Sequence, residues 1–151
     1  MAETDAVQVE AAIDKFAPAM AATIRSVRAA LQKRFPTAYE LVYDNYNFFV
    51  IGYSPTLRPS DCIVSLVADA TRTSLSFYHG ADVPDPAGLL LGDGKQNRFL
   101  RLPNGAATLT EPGTESLLAA AASIAKPMRT EGAVETIMRS VSAKQRPRRK
   151  E

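Results

Sequence analysis

The residues best suited to chemistry fall in two short segments. The first is Leu89-Leu-Leu-Gly-Asp-Gly-Lys-Gln-Asn-Arg-Phe-Leu-Arg-Leu102, where Gly92 and Gly94 precede Lys95, Arg98 and Arg101. Glycines let backbone amides approach a ligand closely, and cations beside them favour an anion such as phosphate or carboxylate. The spacing differs from the phosphate loop Gly-x-x-x-x-Gly-Lys-Ser/Thr, because Asp93 alone separates the glycines and Gln96 follows the lysine. A glycine turn leading into a strand, with Arg98 and Arg101 on opposite faces, accounts for the same residues structurally. The second segment, Tyr43-Asp44-Asn45-Tyr46-Asn47, gathers phenols, amides and a carboxylate at the junction of two predicted strands. It suits either a pocket wall or the cap of a sheet edge.

Metal and nucleophile chemistry have little to draw on. With one cysteine and one histidine, neither a paired-Cys zinc site nor a His-x-x-x-His face exists. An alternative cation site, for iron or another divalent metal, would use His79, Asp82, Asp85 and Asp93. The same aspartates also serve to start turns and cap amides. His79 ends a predicted strand just before Gly80, where a loop begins, a common place for a functional group. Cys62 has no basic neighbour to lower its pKa and reads as a buried structural thiol. No catalytic dyad emerges, so the reading is noncatalytic.

These segments need a scaffold, and 151 residues at 46% hydrophobic and 23% charged supply one ordinary domain. Gly, Pro and Cys contents exclude collagen-like, low-complexity and disulfide-stapled classes. No apolar run is long enough to span a bilayer, and Ala2-Glu-Thr-Asp5 is acidic where a signal peptide is basic, so the expected location is the cytoplasm. Val9, Ile13, Phe16, Met20, Ile24, Val27 and Leu31 recur at helical steps. Pro18 divides them into a short helix ending near Phe16 and a longer one from Pro18 to Arg34, stopped by Pro36. Branched and aromatic runs predict strands at Glu40–Tyr43, Phe48–Ile51, Cys62–Ala68, Ser74–His79 and Arg98–Leu102. Gly80–Asn97 reads as a long loop and Thr114–Ala125 as a helix. Residues 133–142 fit either period. The fold class is α+β, with N-terminal helices and a later helix on a mostly antiparallel sheet of about five strands.

The net charge of +2 is unevenly placed: Lys144, Arg146, Arg148, Arg149 and Lys150 cluster near residue 151, and the remainder is slightly acidic. The expected division is therefore a single domain over 1–142 and a basic, flexible tail over 143–151. That tail would give a weak nucleic-acid accessory role, but no aromatic residue is interleaved with its cations to stack on bases. Expected partners are a small anionic metabolite or a protein, rather than nucleic acid or a membrane. No cofactor is expected outside the iron alternative.

A string of spaced motifs resembles the YdhG-like family of bacterial domains: Val42-Tyr-Asp-Asn-Tyr-Asn47, Val50-Ile-Gly-Tyr53, Pro59-Ser-Asp61, Gly80-Ala-Asp-Val-Pro-Asp-Pro86, and Leu91-Gly-Asp-Gly-Lys95 with Arg98. It spans about Val9 to Ala125, and Arg139–Arg149 is similar to an extension in one branch of that family. The resemblance implies helices on an antiparallel sheet, no established catalysis and a strand after residue 133. A frataxin-like iron chaperone among the relatives implies exposed carboxylates. This chain departs from that pattern, because Lys15, Arg25, Arg28, Lys33 and Arg34 lie among its helical acids.

Overall fold

The apolar spacing of the first segment is realised as two helices, α1 (Asp5–Ile13) and α2 (Pro18–Arg34). The computed structural model describes residues 4–150. Thr4 caps α1 by accepting the Val7 amide at 3.2 Å, and Asp5 sets a negative charge at the positive end of the helix. Pro18 occupies the first turn of α2, where its missing N–H costs nothing. Val9, Ile13, Ile24, Val27 and Leu31 are fully buried.

The strands are β1 (Tyr39–Asp44), β2 (Phe49–Ser54), β3 (Val64–Ala68), β4 (Thr73–Phe77), β5 (Arg98–Arg101) and β6 (Glu135–Val141), in the order β5-β4-β3-β2-β1-β6. β1 to β5 form an antiparallel meander, and β6 returns to pair parallel with β1. The expectation of about five strands is thus corrected to six. The ambiguous stretch 133–142 is the extra one: Met138 pairs with Val42 on the helix side and Ile137 with Leu41 on the other, a two-residue period that only a neighbouring strand can select. β4 stops at Phe77, short of His79, because the chain turns through Gly80–Asp82. The later helix is α4 (Pro112–Ile124), preceded by the unforeseen short α3 (Ala106–Leu109).

One face of the sheet packs on the helices. Phe49 meets Phe16 edge-on with centroids 6.0 Å apart, and Tyr53 stacks on Phe35 at 6.2 Å. Two carboxylates of β1 lie in this layer. Glu40 is fully buried and accepts from Arg28 Nε at 3.0 Å and Nη2 at 2.9 Å, Gln32 at 3.1 Å, the Tyr53 hydroxyl at 2.7 Å and the Thr136 hydroxyl at 2.8 Å. Burial alone would raise its pKa, but these donors outweigh it and hold the group below its ordinary value. Asp44 sits at the other end of β1, with Lys15 at 2.7 Å and Arg148 at 2.9 Å.

That last contact corrects the flexible tail. Arg148 is buried, and donates to the carbonyls of Asn45 at 2.6 Å and Asn47 at 3.3 Å as well as to Asp44. Gln145 donates to the Asp44 carbonyl at 2.9 Å, the Arg146 amide to the Tyr46 carbonyl at 2.8 Å, and Arg149 Nε to the Lys15 carbonyl at 3.1 Å. Residues 145–149 therefore form a strap across the β1–β2 hairpin. The tail is held because the hairpin's carbonyls and the buried Asp44 need donors, and arginines supply them.

Candidate functional site on the outer face of the sheet

The face turned away from the helices is built by strand alternation. Register places Tyr43, Val50, Val67, Ser74 and Arg101 in one row across β1 to β5, and Leu41, Gly52, Ser65, Ser76 and Phe99 in the next. The 55–63 connection covers the β1 and β2 end of the second row, where the Cys62 thiol presses on Gly52. Burial pushes that thiol up to about 11, as a structural cysteine should be. The β3 to β5 end stays open. There a groove of about 290 Å3 is lined by Phe48, Val67, Arg72, Ser74, Phe99 and Arg101, among others.

This arrangement brings one cation from the first predicted segment into play. Arg101 lies over the Phe99 ring, 4.9 Å from its centroid, and donates to the Ser74 hydroxyl at 3.1 Å. No carboxylate among the described residues pairs with Arg101 or with Arg72. Asp69 also lines the groove, but its Oδ1 accepts the amides of Thr71 at 2.8 Å and Arg72 at 3.0 Å and the Thr71 hydroxyl at 2.9 Å. Its Oδ1 is thereby engaged in the β3–β4 turn, and the carboxylate also attracts the Arg72 guanidinium. Burial opposes ionisation there, and those amide and hydroxyl donors prevail, keeping the Asp69 pKa low.

The other expected site residues are placed differently. Arg98 lies on the helix-side face and donates to the carbonyls of Gly94 and Asn97, closing its own loop instead of reaching a ligand. Gly92 has φ +100°, and a side chain there would touch the Phe99 ring at 3.3 Å, so the glycine answers a backbone need. Lys95 and Gly94 are exposed on that loop, outside the groove. Tyr43 shares the row of Arg101 but sits four strands away, about 19 Å, so the two segments share a face without meeting there. Burial raises the Tyr43 pKa, with Arg139 nearby working the other way. Tyr46 and Asn47 are occupied by the strap: Arg146 Nε donates to Asn47 Oδ1 at 2.9 Å and its guanidinium lies 5.7 Å from the Tyr46 centroid.

The alternative cation set does not assemble. His79 donates from Nε2 to the Ser60 carbonyl at 2.8 Å, and Asp85 accepts the amides of Leu89 at 2.9 Å and Leu90 at 2.8 Å. Among the described residues, no three of His, Cys, Asp and Glu gather where a metal could be held. Asp85 spends both carboxylate oxygens on its own turn, and His79, Asp82, Asp85 and Asp93 do not gather into a ligand cluster. No helix among the described residues is long and apolar enough to cross a membrane.

Family models, curated proteins and solved structures offer no match to this chain.

Sequence reasoning missed Phe48, Arg72 and Phe99 as groove residues. A signal for the first was present: Phe48 and Phe49 are adjacent, and strand alternation must turn one of two neighbours outward. Phe49 is fully buried, whereas Phe48 is 43% exposed.

Proposed function

We propose that this chain is a cytoplasmic, noncatalytic α+β binding domain of the YdhG-like kind, whose outer-face groove takes a small anionic ligand with a flat apolar body. The observation that carries the reading is Arg101 held over Phe99, free of any carboxylate partner among the described residues, at the mouth of a groove that also presents Phe48. A guanidinium in that setting pairs with phosphate or carboxylate, while the two rings receive an apolar plane. Ser74, Ser76 and Asn97 supply the few polar groups that orient such a ligand. The groove's size suits a ligand no larger than a mononucleotide.

Thermal melting with adenosine monophosphate, inorganic phosphate and simple dicarboxylates tests this. A ligand at a hundred times its Kd stabilises by about 2.7 kcal/mol, or roughly 5–11 °C for a chain of this length. The shift is expected to vanish in Arg101→Ala and to persist in Lys95→Ala. No shift with any of these anions, or an equal shift in Arg101→Ala, overturns the proposal.

A further inference from the structure

A second hollow, of about 370 Å3, continues the groove beyond Phe48 and is lined by Asn47, Phe48, Asp69, Arg146 and Pro147, among others. Phe48 and Asp69 belong to both hollows, so together they form one trough from β5 to the strap. From β5 to β2 alone the trough crosses three strand spacings, about 14 Å. At the β5 end Phe99 has the Arg101 guanidinium 4.9 Å from its centroid, and at the strap end Arg146 lines the trough. Phe48 lies between them, and Arg72 lines the same groove. Phe48 is 43% exposed, which leaves its ring accessible from the trough.

We infer that this trough binds single-stranded nucleic acid, with bases on Phe48 and Phe99 and phosphates on Arg72, Arg101 and Arg146. The inference rests on the groove reading above and names a longer ligand for the same site. Alternation of rings and guanidiniums over such a span matches the repeat of base and phosphate, and a sheet face of this width accommodates two or three stacked bases. The basic segment lacks aromatic residues of its own, and the fold provides them by laying the strap beside the β1–β2 hairpin. A duplex fits poorly, because its base faces are enclosed and cannot reach the rings. Asn47 and Asn97 stand along the trough, their side-chain oxygens accepting from Arg146 and Ser76, so that their amide N–H groups are the ones left to meet base edges.

The test is fluorescence anisotropy of labelled oligothymidylate and oligouridylate of about 10 nucleotides, with a hairpin duplex as competitor. Three phosphate contacts give a log–log salt slope of about −2.1, so affinity should fall about 18-fold between about 50 and 200 mM salt. Arg146→Ala should reduce the slope to about −1.4, a fall of about 7-fold over the same range. Phe48→Ala, at an exposed position where folding is checked by circular dichroism, should weaken binding roughly 5- to 160-fold through lost stacking. Absence of saturable binding at low salt, unchanged affinity in Phe48→Ala, or equal competition by the duplex overturns the inference. If oligonucleotides fail while adenosine monophosphate still gives an Arg101-dependent thermal shift, this inference alone falls. Failure of both removes the groove reading on which it rests.

Discussion

Arg148→Ala is the substitution that most directly probes how the basic segment is held. The Arg148 and Asp44 side chains are 3% and 2% exposed, so their contact at 2.9 Å is shielded from water. Truncating Arg148 leaves Asp44 with Lys15 at 2.7 Å, so the carboxylate is not stranded. What is lost is one charge-assisted bond to Asp44, donors to the Asn45 and Asn47 carbonyls, and the guanidinium 5.9 Å from the Phe16 centroid. A hydrogen bond to a charged group is worth about 1.5–3 kcal/mol, which sets the expected loss at about 2–3 kcal/mol. Asp44→Ala is harsher, since it leaves a buried guanidinium without its counter-charge, and about 3–5 kcal/mol is expected. These losses correspond to roughly 4–12 °C and 6–20 °C in Tm. Urea unfolding followed by circular dichroism measures both, and the double variant should lose less than the sum because the residues share one interaction. If Arg148→Ala stays within about 0.5 kcal/mol of the parent, the strap is a loosely held tail and the packing argument fails.

Glu40 and Asp44 are both held below their ordinary values of 4.5 and 3.8, because hydrogen-bond donors outweigh the opposing effect of burial. The unfolded chain therefore takes up protons at higher pH than the folded one. Their contribution to stability is fully present above about pH 5 and is lost as pH falls below about 4. The urea midpoint should trace that decline, and a midpoint constant down to about pH 3 would contradict it. Cys62, with a pKa near 11 and a buried Sγ, should resist a thiol-specific disulfide reagent at about pH 8 until the chain is denatured. Stoichiometric labelling of the native protein within seconds would show that the 55–63 connection opens freely.

The parts of the fold legible in the sequence are those governed by local periodicity. The apolar stripe from Val9 to Leu31 specifies two amphipathic helices, and Pro18 is compatible only with a helix start. The branched and aromatic runs of β1 to β4 mark a meander for the same reason. β6 is different, because its strand character depends on a neighbour 96 residues away, as the Thr136 to Glu40 bond shows. α3 spans four residues without a side-chain cap, too short for a periodic signal. The segment Tyr43–Asn47 was informative in density but silent about the partners its groups take within the chain. Asp44, Asn47 and the hairpin's carbonyls take donors from Gln145, Arg146 and Arg148, and a polar cluster looks the same in sequence whether its partner is a ligand or a distant stretch of the same chain. Likewise, one arginine in a basic run cannot be told from its neighbours until the fold sets Asp44 beside it.

The late return of β6 to β1 has a consequence for biosynthesis. The meander can zip up hairpin by hairpin as it leaves the ribosome, but β1 keeps an open hydrogen-bonding edge until residues 135–141 arrive. At translation rates of about 5–20 residues per second, that interval lasts roughly 5–20 s. During it Glu40 lacks Thr136, Asp44 lacks Arg148, and the bare edge of β1 is a template for another nascent chain. Any delay in delivering β6 prolongs that exposure, and slowing elongation between β5 and β6 should lower the yield of folded protein even though every residue of the native state is unchanged.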